Sequence, residues 1–402
     1  MTTTTDTVTL HLPDVGVQIA TWLSYSFNSD FLTPSDAWHF TLSPVATTKE
    51  AMAVLEAGAR VTFTVNGHTE GTGYIDEILC HHDRESGTII TVEGSDLLGP
   101  MVDSNMDPRA RFSDTASLHD FVLAVAAPFG WYTDESIVAD DAANQRVLTG
   151  ETRGIRTTKK GKPLKQVMLH RLKPYPHEGT FAFMSRITQR HGLWVWCSAD
   201  GQTLIVGKPD FDQGPLYALT RRLDGQGNNI VTGGARYSLK NQPSVIVAQG
   251  FGGGGEFPKA RMTCIQENAA VIADNTAILD TYPDAIPAAP FEAARLNARR
   301  IKSRVARPMF LHDDESKTPE ELQNFVKREM ALRMRQSFRY ECTVDGHTQD
   351  GVPWAVNTMV KVDDERADVH ELLWVLSRTF MKDRSGGTRT HLELVRPGTL
   401  EF

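Results

Sequence analysis

The 402-residue sequence predicts a β-dominated α+β fold: two small antiparallel β-barrel domains, an α/β middle domain and an insertion. Three observations carry that reading. Apolar and polar residues alternate through the first hundred positions. The period turns helical between 113 and 215, and the last fifty residues or so read as a tight β-meander. A chain of this length is too long for one ordinary core, so two to four domains are expected. Its 31 Gly and 20 Pro suit a turn-rich β architecture better than a helical one. The boundaries read as a first barrel at 1–112, a middle domain at 113–215, a discontinuous second barrel at 216–251 and 335–402, and an insertion with loop and helix at 252–334.

In the first block Val8, Leu10 and Leu12 alternate with polar residues, as do Val15, Val17 and Ile19, and then Trp38, Phe40 and Leu42. Val61-Thr62-Phe63-Thr64-Val65 followed by Asn66-Gly67 is the clearest hairpin signal, because both turn positions need positive φ. Ile89, Ile90 and Val92 then run into Glu93-Gly94-Ser95-Asp96. In the middle block Ser117 is placed to cap a helix with Leu118, Phe121, Val122 and Val125 on one face, ended by Pro128 and Gly130. A second helix is expected over 180–191, with Phe183, Met184 and Ile187 inward and Gly192 as its stop. Leu193 to Cys197, the turn at Asp200-Gly201 and Thr203 to Gly207 then read as strand, turn and strand.

From about 216 the chain returns to strands, around Asn228 to Val231, Arg236 to Leu239 and Ser244 to Ala248. Gly252 to Gly255 follow, then a stretch rich in Ala, Pro and Asp with a basic cluster at Arg295, Arg299, Arg300, Lys302, Arg304 and Arg307, read as an insertion or lid. Thr318-Pro319-Glu320-Glu321 has the cap, first-turn proline and capping-box glutamate of a helix start, and Leu322, Phe325, Val326 and Met330 give that helix an inner face. Pro353-Trp354, Asn357 to Val360, Glu371 to Leu376 and Thr388 to Val395 supply the final meander. Trp354 and Asn357 are expected to be structural. No internal repeat is legible, although two β-rich blocks flank the middle.

The net charge of −8 argues against a general nucleic-acid binder, though a channel that DNA only passes through is a different case. The basic stretch 153–173 reads first as a solvated loop and second as a contact to an acidic partner or passing DNA. Cys80, Cys197, Cys264 and Cys342 have no metal-ligand spacing and read as buried free thiols, made in a reducing compartment. The N-terminus lacks the pattern of a signal peptide, and no apolar run reaches bilayer length, so synthesis in the cytoplasm without membrane insertion is expected.

No serine-hydrolase, zinc-protease, phosphate-loop or calcium-loop motif is present. Asp210-Phe211-Asp212-Gln213-Gly214 reads as a turn. His81 and His82 are neighbours on a strand, so their rings point to opposite faces. Gly252 to Gly255 run into Glu256-Phe257-Pro258 and lack the helix start that a phosphate cradle needs. Asp363-Asp364 and Asp313-Asp314 are carboxylate pairs of the type glycosidases use, without further support. The sequence therefore predicts no catalytic, cofactor-binding or metal-ligating residue and no enzyme.

Four blocks together resemble a known family: Val92 to Ser104, Gly179 through Gly201 to Val206, Asn229-Ile230-Val231 with the strands after it, and the C-terminal Pro353-Trp354-x-x-Asn357 block ending in Thr388-x-Thr390-x-Leu392-x-Leu394. In order and spacing they resemble the baseplate hub of contractile-tail phages, typified by the phage Mu hub and similar in fold to the central hub of T-even phages. That resemblance implies a homotrimeric ring in which each chain contributes two similar barrel (tube) domains. It implies tail-tube or tube-initiator, central-spike and baseplate-wedge proteins as partners, DNA passing through the lumen without specific binding, and a place in the virion tail. A tail-associated cell-wall-degrading enzyme and the hub of a phage-derived contractile injection system are the alternatives. The basic stretch 153–173 and the segment 252–317 depart from the family pattern.

Overall fold

The computed structural model describes residues 6–42, 53–84, 87–110, 112, 117–139, 173–251, 261–268, 271–288, 301–302, 305–313, 316, 319–383 and 386–400. The basic stretch 153–173, the glycine run and most of the basic cluster lie almost wholly outside these residues. Thr318, the expected helix cap, does too.

Alternation builds the first block: β1 (Val8–Leu12), β2 (Val17–Ile19), β3 (Trp22–Asp30), β4 (Ala37–Leu42), β5 (Arg60–Val65), β6 (His68–Asp83) and β7 (Gly87–Asp96). In β1 the burial pattern alternates strictly, so Val8, Leu10 and Leu12 face the core. Asn66 and Gly67 both have positive φ, and the hairpin they close joins β5 to β6 as the sequence predicts. Val15 differs from expectation: it lies in the turn before β2 and is exposed.

The middle block contains α1 (Gly99–Asp103), α2 (Leu118–Ala126), β8 (Ile137–Ala139), α3 (Thr180–Arg190), β9 (Trp194–Cys197) and β10 (Leu204–Gly207). Ser117 and Asp120 form a reciprocal capping box at the start of α2. Gly192, at φ 71°, follows the end of α3. Phe121, Phe183, Met184 and Ile187 pack the two helices over the three-stranded sheet β8–β10–β9. The α+β reading of this block holds.

The second block is β11 (Tyr217–Arg221) and β12 (Ile230–Tyr237), followed after a long excursion by β19 to β24. The excursion is β13 (Val245–Phe251), β14 (Arg261–Glu267), β15 (Val271–Ile272), α4 (Thr276–Thr281), β16 (Ile286–Pro287), β17 (Ile301–Lys302), β18 (Pro308–Asp313) and α5 (Pro319–Met334). The last strands are β19 (Phe338–Asp345), β20 (Thr348–Gln349), β21 (Val352–Pro353), β22 (Met359–Asp364), β23 (Val369–Asp383) and β24 (Gly387–Val395).

Two expectations are corrected here. The strand Val245–Phe251 falls in the segment 216–251, which the sequence assigns to the second β-block. It instead pairs with β14 and β18 in a separate four-stranded sheet, over which α5 lays Leu322, Val326, Met330 and Met334. The segment read as a lid is thus an α+β unit with its own small core. The cysteines also differ: Cys264 and Cys342 are buried, Cys197 is half-buried and Cys80 is exposed.

The two β-blocks are not separate sheets. Their strands form one 13-stranded sheet, in the order β12-β19-β24-β23-β3-β4-β7-β6-β5-β1-β2, with β22 on β23 and β11 on β22. Among the described residues no pairing closes either block on itself. One core serves both, bringing Phe27, Phe40 and Phe63 together with Tyr340, Phe380 and Leu392.

Within that sheet one motif occurs twice. The first copy runs β3-β4-β7-β6-β5 and the second β12-β19-β24-β23-β22, every neighbour antiparallel. The registers coincide as well. Tyr74↔Ser95 and Asp83↔Gly87 in one hairpin answer to Trp374↔Val395 and Asp383↔Gly387 in the other, with a bulge between Ile75 and Glu77 matched by one between Val375 and Ser377. A second bulge, between Trp22 and Ser24, is matched between Ile230 and Thr232. Bulges fix twist and register locally, so two coincident bulges identify a duplicated unit rather than a shared strand order.

Candidate functional site

The most extensive side-chain network that links the two β-blocks lies at their junction, where β3 meets β23. At the junction β3 runs antiparallel to the far half of β23, from Ser377↔Asp30 to Lys382↔Tyr25. Phe27 lies opposite Phe380 and stacks on Phe63 with ring centroids 4.5 Å apart. Arg378 crosses from the second block into the first. Its Nη1 donates to the Glu70 carboxylate and to the Trp354 carbonyl, and its guanidinium lies 4.3 Å above the Phe380 ring. Glu70 is the extra residue of a bulge in β6, between the pairs Thr64↔Thr69 and Phe63↔Gly71. Trp354 packs on Tyr217 with centroids 4.4 Å apart.

A second polar knot sits beside it. The Thr390 hydroxyl donates to the Gly346 carbonyl at 2.6 Å, which leaves its oxygen to accept from His347 Nδ1 at 3.0 Å. His347 Nε2, 2.7 Å from the Tyr25 hydroxyl, is then the acceptor. The imidazole is neutral: burial pushes its pKa down to about 4. Burial likewise raises the Tyr25 phenol. These groups are joined to one another and present no open face to a substrate.

The residues the sequence singled out are not brought together. Asp364 is buried and accepts from the Tyr340 hydroxyl at 2.6 Å and from the backbone of Arg366 and Ala367, while Asp363 turns to His370 at 2.6 Å. Asp313 accepts from Ser316 and from Arg190, and Asp314 lies outside the described residues. Asp210 holds a turn by accepting from the Asp212 backbone at 3.1 Å. His81 and His82 are exposed neighbours on β6. Trp354 and Asn357 take structural places, the Asn357 carbonyl oxygen Oδ1 accepting from Trp374 Nε1 and the Asp210 backbone, each at 3.1 Å.

Sequence reasoning missed the carboxyl pair Asp36 and Asp96. Burial, and then the neighbouring Asp96 charge, push the Asp36 pKa up to about 7. Ser29 donates to Asp36 and Ser35 to Asp96, each at 2.6 Å, and the Leu98 backbone donates to Asp96. The pair fastens the β3–β4 turn to the end of β7. Only Asp96 stood in a segment the sequence had marked. A cleft of about 450 Å³ lies between α3 and α5, lined by Phe181, Ser185, Arg186, Arg328 and Glu329. Its carboxylate Glu329 is held by Arg333 at 2.6 Å and Arg328 at 3.2 Å. Among the described residues no three His, Cys, Asp or Glu side chains are grouped to hold a metal, and no helix is long and apolar enough to cross a membrane.

The edges are more telling. β12 ends the sheet on one side. Among the described residues β6 pairs with β5 only as far as Tyr74, and beyond its bulge it pairs with β7 alone. On that overhang Leu79 is 57% exposed, and Cys80, His81 and His82 are exposed with it.

Comparison with known proteins agrees with this architecture. Residues 9–96 match the family model described as Mu phage baseplate assembly protein GpP-like, N-terminal, and residues 333–398 match one described as tail protein, C-terminal domain. The matches coincide with β1–β7 and with β19–β24. No curated protein matches the sequence. Among solved structures the fold is that of a tail protein from Neisseria meningitidis MC58, at 20% identity over 98% of each chain with a TM-score of 0.71. It is also that of the 43 kDa tail protein of prophage MuSo2 from Shewanella oneidensis, at 18% identity over 98% of this chain and 99% of that one, TM-score 0.68. A chain of the Francisella PdpA-VgrG complex is matched at 7% identity over 98% of this chain and 58% of that one, TM-score 0.50. The resemblance stated from the sequence is borne out: both ends of the chain match family models of phage baseplate and tail proteins.

Proposed function

We propose that this phage tail and baseplate structural protein is the hub of a contractile tail: a homotrimeric ring that joins a hexameric tail tube to a trimeric spike and lines part of the DNA ejection channel. The observation that carries the reading is the duplicated strand motif with its two coincident bulges. A chain holding two like modules presents six in a trimer. That matches sixfold symmetry on one side while the chain itself keeps threefold symmetry on the other. An acidic chain suits the lumen, because DNA then passes without sticking. On this reading tube or tube-initiator proteins, the spike and wedge proteins are its partners, and it resides in the virion after synthesis in the host cytoplasm. The fold likeness to a chain of the PdpA-VgrG complex favours one second setting, the hub of a phage-derived injection system. Capsid and terminase genes beside this one separate the two settings.

Native mass spectrometry of the purified chain, with electron-microscope projections, tests the proposal. Three subunits in a ring are expected. A chain that stays monomeric at micromolar concentration, and remains so when its spike is added, overturns it.

A further inference from the structure

The cleft between α3 and α5 has no part in the function proposed above. It is a seam between two separately packed units, since α3 belongs to the core of the middle block and α5 to that of the excursion. Its floor is apolar. Leu32 and Pro34 come from the β3–β4 turn, Val102 from α1, Phe181 and Ala182 from α3, and Leu332 from α5. Val102 is 38% exposed and Ala182 is exposed, so the apolar surface lies open to water. The volume, about 450 Å³, falls within the range of ligand pockets.

The polar groups beside that floor lean toward positive charge. Arg328 and Arg333 share one carboxylate, that of Glu329, at 3.2 and 2.6 Å. Among the described residues Arg328 gives only Nη2 to an acceptor: Nε is buried without one, and Nη1 donates to nothing. On the α3 wall the Ser185 oxygen accepts from Gln189 Nε2 at 2.8 Å, which leaves the Ser185 hydroxyl hydrogen to donate. Burial holds the nearby Arg190 guanidinium below the usual arginine range, and the charges of Arg328 and Arg186 add to that against Asp313 and Glu321. A half-buried guanidinium with donors to spare is relieved by an anion.

We propose that this cleft docks a segment of another tail protein, with an apolar side chain seated on the floor and an adjoining carboxylate held by Arg328 and Ser185. The inference goes beyond the ring proposed above and does not depend on it. An apolar residue beside a carboxylate fits both halves of the cleft. A nucleic-acid backbone brings the charge without the apolar face, and the net charge of −8 opposes its approach. The walls also lie between the stretches that match family models, 9–96 and 333–398, which leave out Val102, Phe181, Ser185 and Arg328. That placement suits a partner particular to this tail. Its segment would touch the middle block and the excursion together and tie one to the other.

The probe is a set of overlapping synthetic peptides that tile the tail proteins encoded beside this chain, the C-terminal ones with a free carboxylate. Each is titrated calorimetrically into the full-length chain. Expected is a peptide with an apolar residue next to Asp, Glu or a chain terminus. Its affinity should fall roughly 10- to 100-fold on Arg328→Gln, and by a like factor when its own carboxylate is made an amide. Ala182→Trp fills the cleft from α3 and should abolish binding. Gln189→Trp repeats the block further along the same wall, in case the first variant lowers the unfolding midpoint. If no peptide binds, the docking site is overturned, and binding that survives both tryptophan variants overturns it equally. Binding that tryptophan blocks but Arg328→Gln leaves unchanged overturns the carboxylate. A DNA oligonucleotide that displaces the peptide overturns the protein partner. Self-association of the chain, read by native mass and lost on Ala182→Trp, makes a second copy the occupant and overturns that partner too.

Discussion

Arg378→Ala is the perturbation that most directly tests how the two β-blocks are held. The Arg378 side chain is 5% exposed and that of Glu70 11%, so the pair is buried at the β3–β23 junction. Truncation removes the donor to the Glu70 carboxylate and to the Trp354 carbonyl, and strips the cation from the Phe380 ring. Breaking one side of such a pair costs about 3–5 kcal/mol, because the remaining charge stays buried without a counterion. Replacing both members by apolar groups of similar volume is often neutral, so Glu70→Leu with Arg378→Met should regain most of that loss. The assay is urea unfolding followed by tryptophan fluorescence, at one protein concentration and with the oligomeric state checked by native mass. A loss below about 1 kcal/mol for Arg378→Ala refutes the reasoning. So does a double variant less stable than the single one.

The remaining predictions concern the same region. Trp354→Ala should cost about 3–5 kcal/mol in the same assay, since the ring is buried against Tyr217; lost assembly at unchanged stability would instead place it at an interface. Asn357→Ala should cost about 2–3 kcal/mol, because it deprives the Trp374 and Asp210 N–H groups of their acceptor and leaves at φ 62° a residue that tolerates the left-handed region less well than asparagine. Asn357→Gly keeps that backbone and should be milder than Ala by about 1 kcal/mol; equal costs would remove the backbone part of the argument. His347 is held neutral with its pKa at about 4, below the unfolded value near 6.5, so its contribution is present above pH 6.5 and is lost as pH falls toward 4. The gap amounts to about 3 kcal/mol once pH is below both values. Asp36, with its pKa raised to about 7, has the opposite sign and loses stability as pH rises from about 4 to 7. The acid loss must therefore be read as the difference between wild type and His347→Gln, and a wild type that gains on that variant during acidification contradicts it.

Local chemistry was legible in the sequence and long-range pairing was not. The Asn66-Gly67 hairpin was readable because both positions need positive φ, and Ser117 because a capping box is a contact over three residues. Tyr25 and His347 bond across 322 positions, which no alternation pattern encodes. Alternation assigns a face to a side chain but not a partner to a strand. Alternation therefore cannot tell that Val245–Phe251 pairs in the separate four-stranded sheet rather than with the second β-block. A signal was nonetheless present: Val245, Ile246, Val247 and Ala248 are all buried, and an unbroken apolar run marks a strand covered on both faces. The duplication stayed hidden because the excursion from β13 to α5 separates β12 from β19 in the second copy, while β3 and β4 are joined by a short turn in the first.

The two overhangs show why the duplicated register matters. From bulge to tip β23 runs Ser377 to Asp383, and β6 runs Glu77 to Asp83, the same length. In β23 that length is needed inside the chain, because it carries the six residues that pair with β3. In β6, among the described residues, it pairs only within its own hairpin, and an edge of that length is a liability for a free protein. Losing one residue would flip the face of every side chain beyond it, and shortening the hairpin would remove the exposed edge altogether. Neither difference separates the two copies. Among the described residues the β6 overhang thus keeps the dimensions of the working β3–β23 junction without a strand beside it, and a register held to the residue in both copies makes that length part of the repeated module itself.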